Sequence, residues 1–346
     1  MILALVLALA GDAHPDLVRV RGSDGAVETL AGRVLEDSGT RVLVEVGAER
    51  RELAPAAVLA LELGLAPGPW REGVLARARG DLVAAAARFA EAASGPDPVV
   101  AAHARLATAE LQLRSGALAP ARRELERFLA EHGASRLAPE ARFTLGRVER
   151  LEGSAGHSAE TLRALFHEPS ASPELAARAG LDAAEAELAA REPERARALH
   201  AEVARFLDAL APEDGPDRAA LRARARRGEG LVLLALGDGP AALAFFRAEL
   251  ERAAGEDEAL GARLGLARAL LATGDAPGAR REFARVAALD AFDEERAALA
   301  LVGLAESALE LGERAEPERR RALETVRERY PHTPAAVRAR ELLDGR

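Results

Sequence analysis

Residues 270–286 read LLATGDAPGARREFARV. An apolar run ends there, Gly274 and Asp275 break it, and a second amphipathic run begins at Ala276. Ala279 follows Gly274 by five residues, and Phe283 follows Ala279 by four. The same spacing recurs at Gly80, Ala85 and Phe89 and at Gly237, Ala242 and Phe246. Each place has a local cause. Glycine takes a left-handed backbone without a Cβ penalty, so it closes a helix. Asp81, Asp238 or Asp275 then caps the next helix, with Pro240 and Pro277 inside the first turn, where proline costs least.

Aligning the chain on this turn places anchors at Gly80, Gly116, Gly153, Arg191, Gly237, Gly274 and Gly312, separated by 36, 37, 38, 46, 37 and 38 residues. A period in this range marks a stack of helix pairs. Seven residues before each turn stands a small residue: Gly73, Ala109, Gly146, Ala184, Gly230, Ala267 or Ala305. Five after it come Ala85, Ala121, Ala196, Ala242 and Ala279, where the two helices of a pair touch. Phe89, Leu125, Leu162, Phe246 and Phe283 are placed to fill the layer between neighbouring pairs.

This pattern resembles the tetratricopeptide repeat (TPR), with a small residue at its eighth position, Gly at the fifteenth, Ala at the twentieth and an aromatic residue at the twenty-fourth. The resemblance covers seven units over residues 66–343. The family's first-helix Trp and Tyr are mostly missing, and Trp70 sits one place off. The period exceeds the usual repeat of about 34 residues, as in envelope-type members. FLAEHGASRLAPEARFTLG and RERYPHTPAAVRARELL are similar to the repeat linkers of bacterial periplasmic members, the last stretch standing as a capping helix. The fold class so implied is mainly α: a TPR α-solenoid over 65–346 behind a small antiparallel β-barrel over 14–64.

That barrel is read from residues 17–63. LVRVRG, ETLAGRVLE, TRVLVEVG and RRELAPAAVLALEL alternate branched apolar with charged residues, and SDGA, EDSG and VGAE supply turns. Four or five short strands in so few residues are best closed on themselves. The segment resembles the SH3-like barrels that precede some exported bacterial repeat proteins. It reads as a spacer or docking module, with peptide or glycan binding as the alternative. GLAPGP, residues 64–69, reads as a hinge before the helices. Upstream, residues 1–13 read as a signal peptide: an apolar run from Ile2 to Ala10 ends in Ala8-Leu9-Ala10, which a signal peptidase would cut. The localisation expected is periplasmic or secreted, or cytoplasmic if that segment is retained. No stretch is long enough to span a bilayer.

Composition removes several function classes. With 346 residues, 49% of them hydrophobic, a buried core is affordable; with only 3% aromatic, it must be packed from Ala, Leu and Val. A net charge of -9 argues against a nucleic-acid binder. The chain has no cysteine, which excludes disulfides, thiolate metal sites, a thiol nucleophile and a lipid-anchored N-terminus. It also lacks Lys and Asn, and Ile2 is its one isoleucine, so its arginines reflect a GC-rich coding bias more than phosphate binding. The seven histidines (His14, His103, His132, His157, His167, His200 and His332) form no zinc-binding spacing. GSAGHS at 153–158 lacks the register of a nucleophile elbow, and RGEGLVLL lacks the strand that precedes a dinucleotide loop. No catalytic residue, metal or cofactor is expected.

Stacked helix pairs curve, and their first helices line the concave side. By the TPR resemblance, the groove-facing places hold Trp70, Arg77, Glu110, Arg114, Phe143, Arg147, Arg150, Arg178, Glu185, Arg224, Arg227, Arg268, Glu306 and Glu310. Arginine predominates there in a chain that is acidic overall, which implies protein partners presenting acidic or extended segments. Arg147, Arg150, Arg224 and Arg227 are the foremost candidate anchors. RARARRGEG, residues 222–230, reads as a groove wall or an exposed face. Chaperone-docking TPR domains hold a C-terminal carboxylate with Lys and Asn, and this chain has neither. The alternatives are an enzymatic or glycan-handling barrel with a recruiting repeat arm, and a cytosolic adaptor.

Overall fold

The computed structural model describes residues 14–22, 26–210, 216–290, 293–310 and 316–345. The segment read as a signal peptide and the seventh turn anchor, Gly312, lie outside them. The first five elements are strands β1 (Asp16–Arg21), β2 (Val27–Asp37), β3 (Val42–Val46), β4 (Glu49–Leu53) and β5 (Val58–Glu62). Helices follow as first and second members of pairs: α1 (Gly68–Ala78) with α2 (Leu82–Ala92), α3 (Pro98–Arg114) with α4 (Leu118–His132), and α5 (Ala138–Leu151) with α6 (Ala155–Phe166). Next come α7 (Pro173–Ala189) with α8 (Pro193–Ala209), α9 (Pro216–Ala235) with α10 (Gly239–Arg252), and α11 (Glu256–Ala272) with α12 (Ala276–Leu289). The last pair is α13 (Glu294–Glu310) with α14 (Glu316–Arg329), and α15 (Pro334–Leu343) ends the array.

The turn grammar holds in detail. Gly80, Gly116, Gly153, Gly237 and Gly274 have φ between 77 and 85°, and Arg191, in the degenerate unit, takes the same left-handed turn at φ 65°. A non-glycine residue is uncommon there, so the turn is imposed by its neighbours. Asp81, Asp238 and Asp275 each accept the amide N–H three residues on, at 3.0, 3.0 and 2.8 Å. All seven small residues before the turns are buried, and so are the five alanines after them.

Packing divides the chain into two compact units. The first comprises residues 1–148 and 168–172. Its five strands form one antiparallel sheet in the order β4-β3-β2-β1-β5, and among the described residues no ladder joins β4 to β5. Strand β2 serves two ladders, Val27–Gly32 against β1 and Arg33–Asp37 against β3, with an irregularity between Val34 and Glu36 within the second. The alternation read from sequence is met, with Val18, Val20, Val42 and Val44 inside.

This sheet is not a separate body. Its valines share one core with Ala85, Phe89, Val99, Val100 and Ala104 of the first two helix pairs. At the end of β2, the Asp37 carboxylate accepts from Arg136 at 2.6 and 2.8 Å and lies 2.7 Å from His103 Nε2. Two residues later the Gly39 N–H donates to the Ala134 carbonyl at 2.9 Å. The segment read as a hinge is pinned as well: Leu63, Gly64 and Ala66 are buried, and the Leu65 N–H donates to buried Asp16 at 2.8 Å. Burial and this hydrogen bond remove the freedom that the Gly/Pro composition implied.

The second unit comprises residues 149–167 and 173–346. Its layers are built by aromatic rings set into glycine notches. Phe246 lies between Gly230 of its own pair and Gly265 of the next, Phe283 sits on Gly303, and the His200 ring sits on Gly228. A Cβ at residue 265 would fall 2.1–2.4 Å from the Phe246 ring, and one at residue 230 would fall 2.5 Å from it. The ring is held on both sides and cannot retreat. Gly265→Ala is therefore expected to destabilise the protein by about 1–2 kcal/mol in chemical denaturation, overpacking outweighing the roughly 1 kcal/mol gained in helix propensity. Gly156→Ala, where an added Cβ meets nothing within 4 Å, is expected to be neutral or stabilising. Equal effects at both sites would sink the notch assignment.

Candidate partner-binding groove

In the second unit a cavity of about 640 Å³ opens along the first helices. Its walls are the end of α5 (Arg150), α7 (Glu185), α9 (Arg224, Arg227, Leu231), α11 (Leu264, Arg268), α13 (Glu295, Arg296, Leu299) and α15 (Val337, Arg338), with Phe246 of α10 at the base. The volume is in the range of ligand-binding clefts. First helices supply nearly all of the wall, the side that lines the concave face in a stack of helix pairs.

Most of its charge is spent internally. Arg150 pairs with Glu185 at 3.1 Å and with Glu295 at 3.3 Å, the latter 145 residues away. Arg224 pairs with Asp182 and Glu185, both at 2.6 Å. Arg296 is held by Asp257 at 2.8 Å, by Asp293 at 3.7 Å and by Asp290 more closely, and Arg338 by Glu306 at 3.1 Å and Glu341 at 3.2 Å. Three carboxylates thus share the Arg150 and Arg224 guanidiniums. Burial works to raise the Glu185 pKa, but Arg224 and Arg150 together hold it below the usual carboxylate range. Burial raises Glu295, with the neighbouring Glu185 and Asp182 adding to it.

Two arginines in the wall are different. Among the described residues, Arg227 and Arg268 have no carboxylate within 4 Å. Burial, with Arg296 close by, pulls Arg227 down to about 10, so it stays charged at neutral pH. Its guanidinium lies against Gly261, where a Cβ would fall 2.6 Å from Cζ.

Of the fourteen groove places read from sequence, Arg150, Glu185, Arg224, Arg227 and Arg268 meet in this cavity. Arg150 and Arg224, read from sequence as anchors, are already paired with internal carboxylates. Glu306 supports the rim through Arg338, while Arg178 and Glu310 are exposed outside the cavity lining. In the first unit, Trp70 is half-buried and packs on Phe89 with centroids 5.0 Å apart, against the core shared with the sheet. Arg77 stands 5.7 Å over the Phe89 ring. Glu110 is half-buried, and burial beside Glu140 raises its pKa, with Arg77, Arg147 and Arg114 opposing. Arg114 is exposed and Arg147 half-buried; Phe143 is only 5% exposed and offers a partner little surface. Sequence reasoning missed Gly261, Glu295, Arg296 and Arg338. Only the glycine carried a signal, as an interior helix residue with no propensity to recommend it.

No group of three or more metal-ligating side chains occurs among the described residues, and no described helix is long and apolar enough to cross a membrane. RARARRGEG divides as its helix demands, Arg224 and Arg227 into the cavity wall and Arg226 to the exposed side.

The architecture has counterparts among solved structures. A crystallised tetratricopeptide repeat protein from Parabacteroides merdae superposes with a TM-score of 0.54 at 13% identity, covering 76% of this chain and 92% of that one. Two structures of nearly identical TPR-like repeats from Podosopora anserina, of the kinesin light chain type, align at 19% and 18% identity over 60% and 59% of this chain and 97% and 96% of theirs, with TM-scores of 0.33 and 0.32. No family model matches the sequence, and no curated protein matches it significantly. The fold is a mainly α solenoid of TPR type preceded by a small antiparallel sheet.

Proposed function

We propose that this protein is a non-enzymatic interaction scaffold, exported to the bacterial periplasm, whose first helices hold segments of protein partners. The observation that carries this reading is the convergence of five first helices and α15 on one cavity in which two arginines lack internal partners. A scaffold that uses its own carboxylates to fix four guanidiniums and leaves two unpaired is suited to an acidic segment. The sheet, sharing its core with the first helix pairs, serves in this reading as the solenoid's N-terminal cap. A repeat array needs such a cap to cover its terminal apolar face.

Reversing Arg227 and Arg268 together to Glu should leave the circular dichroism spectrum unchanged, since neither holds an internal ion pair. The double variant is expected to lose partners that the unaltered protein captures from envelope extract, repulsion adding to lost attraction. Retention of every partner would overturn the groove reading. Mass determination of the mature N-terminus tests export: cleavage after Ala10 or Ala13 supports it, and an intact Met1 counts against it.

A further inference from the structure

Resting on that reading, the geometry points to the chemistry of the segment: we infer that the cavity selects an extended stretch with two acidic residues three positions apart and apolar residues between them. Helices α9 and α11 run level with each other, because Arg227 lies against Gly261 and Phe246 is gripped between Gly230 and Gly265. Arg268 stands seven residues beyond Gly261 on α11, about 10 Å of helix rise. The two unpartnered cations are therefore separated along the groove, with Leu231 and Leu264 in the wall between them.

An occupant complementary to this wall carries negative charge at both ends and aliphatic surface in the middle. A polyproline-type extended chain rises about 3.1 Å per residue with three residues per turn, so acids at i and i+3 fall on one face about 9 Å apart. That is close to the helix rise that separates Arg268 from the level of Gly261, against which Arg227 lies. A lone terminal carboxylate would meet one cation and leave the other unpaired. In a helical segment, acids at i and i+3 come within about 5 Å of each other, so that spacing would not reach both arginines. The Arg150–Glu295 and Arg338–Glu341 pairs add no further free cation to the wall.

The test is fluorescence anisotropy with a peptide, Glu-Pro-Leu-Glu between glycines, carrying an uncharged BODIPY dye and an amidated C-terminus, so that its only carboxylates are the two side chains. Saturable binding that weakens with salt is expected. Arg227→Gln and Arg268→Gln should each weaken it about tenfold, the worth of one charge-assisted hydrogen bond. Arg127→Gln, on α4 in the first unit, should change nothing. A peptide of the same composition with adjacent acids, Pro-Leu-Glu-Glu, should bind about tenfold more weakly. Equal binding of the two peptides, or unchanged binding by both Gln variants, overturns the inference. If the peptide fails while the charge-reversed protein still loses its envelope partners, the spacing is wrong and the groove reading stands. If both fail, the groove reading falls too.

Discussion

Replacing Asp37 with Ala is expected to cost about 3–5 kcal/mol of folding free energy, the usual loss when one member of a buried ion pair is removed. The Asp37 side chain is 1% exposed and accepts from both Arg136 and His103. Burial alone would raise its pKa, but the hydrogen bonds from His103 and Arg136 outweigh it and hold the carboxyl at about 2. A carboxyl depressed in the folded state stabilises above its unfolded value near 4, and that contribution is lost as pH falls toward 2. Loss of the carboxylate strands the Arg136 guanidinium against the end of β2 and frees the sheet from the helices that complete its core. Urea denaturation should show a lower midpoint, or a first transition in which the sheet and the leading helix pairs unfold apart from the rest. An unchanged single transition would mean that the shared valine and phenylalanine core alone secures the sheet.

The repeat array was legible because its grammar is local. A glycine, a capping aspartate and an alanine five residues on are fixed by backbone geometry within one turn of helix, and the structure places them as the spacing demands. Even the degenerate unit was found by its period, with Arg191 in the left-handed turn. What was not legible depends on partners far apart in sequence. Arg136 lies 99 residues from Asp37, and nothing in either segment announces the other. The same holds for Glu295, which reaches Arg150 across 145 residues and so turns an expected anchor into an internal strut.

Glycine serves opposite ends in this chain for one physical reason. GLAPGP looked flexible because glycine and proline break periodic structure, yet neighbouring backbone and the Asp16 carboxylate hold it. Gly228, Gly265 and Gly303 stand inside helices, where glycine propensity is poor. Each is a notch for a ring that arrives from the preceding pair, and the matching ring lies 19 to 28 residues earlier, at His200, Phe246 and Phe283. Composition reports conformational freedom; packing decides whether that freedom is used for a turn, a close approach or nothing.

His200→Phe is expected to stabilise the protein at neutral pH and to flatten its acid dependence. Nine residues after Arg191, His200 occupies the place taken by Phe89, Phe246 and Phe283 in better-formed units. It is 4% exposed, and neither ring nitrogen has a hydrogen-bond partner among the described residues. Leaving a buried polar group unsatisfied costs about 1–3 kcal/mol, which the phenyl ring would not incur, and the Gly228 notch is already cut for an aromatic ring. Burial drives the imidazole pKa down to about 4, with Arg224 reinforcing the shift and Glu185 opposing it. A base whose folded pKa lies below its unfolded value near 6.5 stays neutral in the fold while the unfolded chain takes up a proton. Stability is then complete above pH 6.5, falls as pH drops toward 4, and levels off below it. The loss over that window is about 3 kcal/mol. Urea titrations at pH 7 and pH 4.5 should show the wild type losing much more stability than His200→Phe. If the two lose equal amounts, other groups set the acid response and His200 is solvated in the native state.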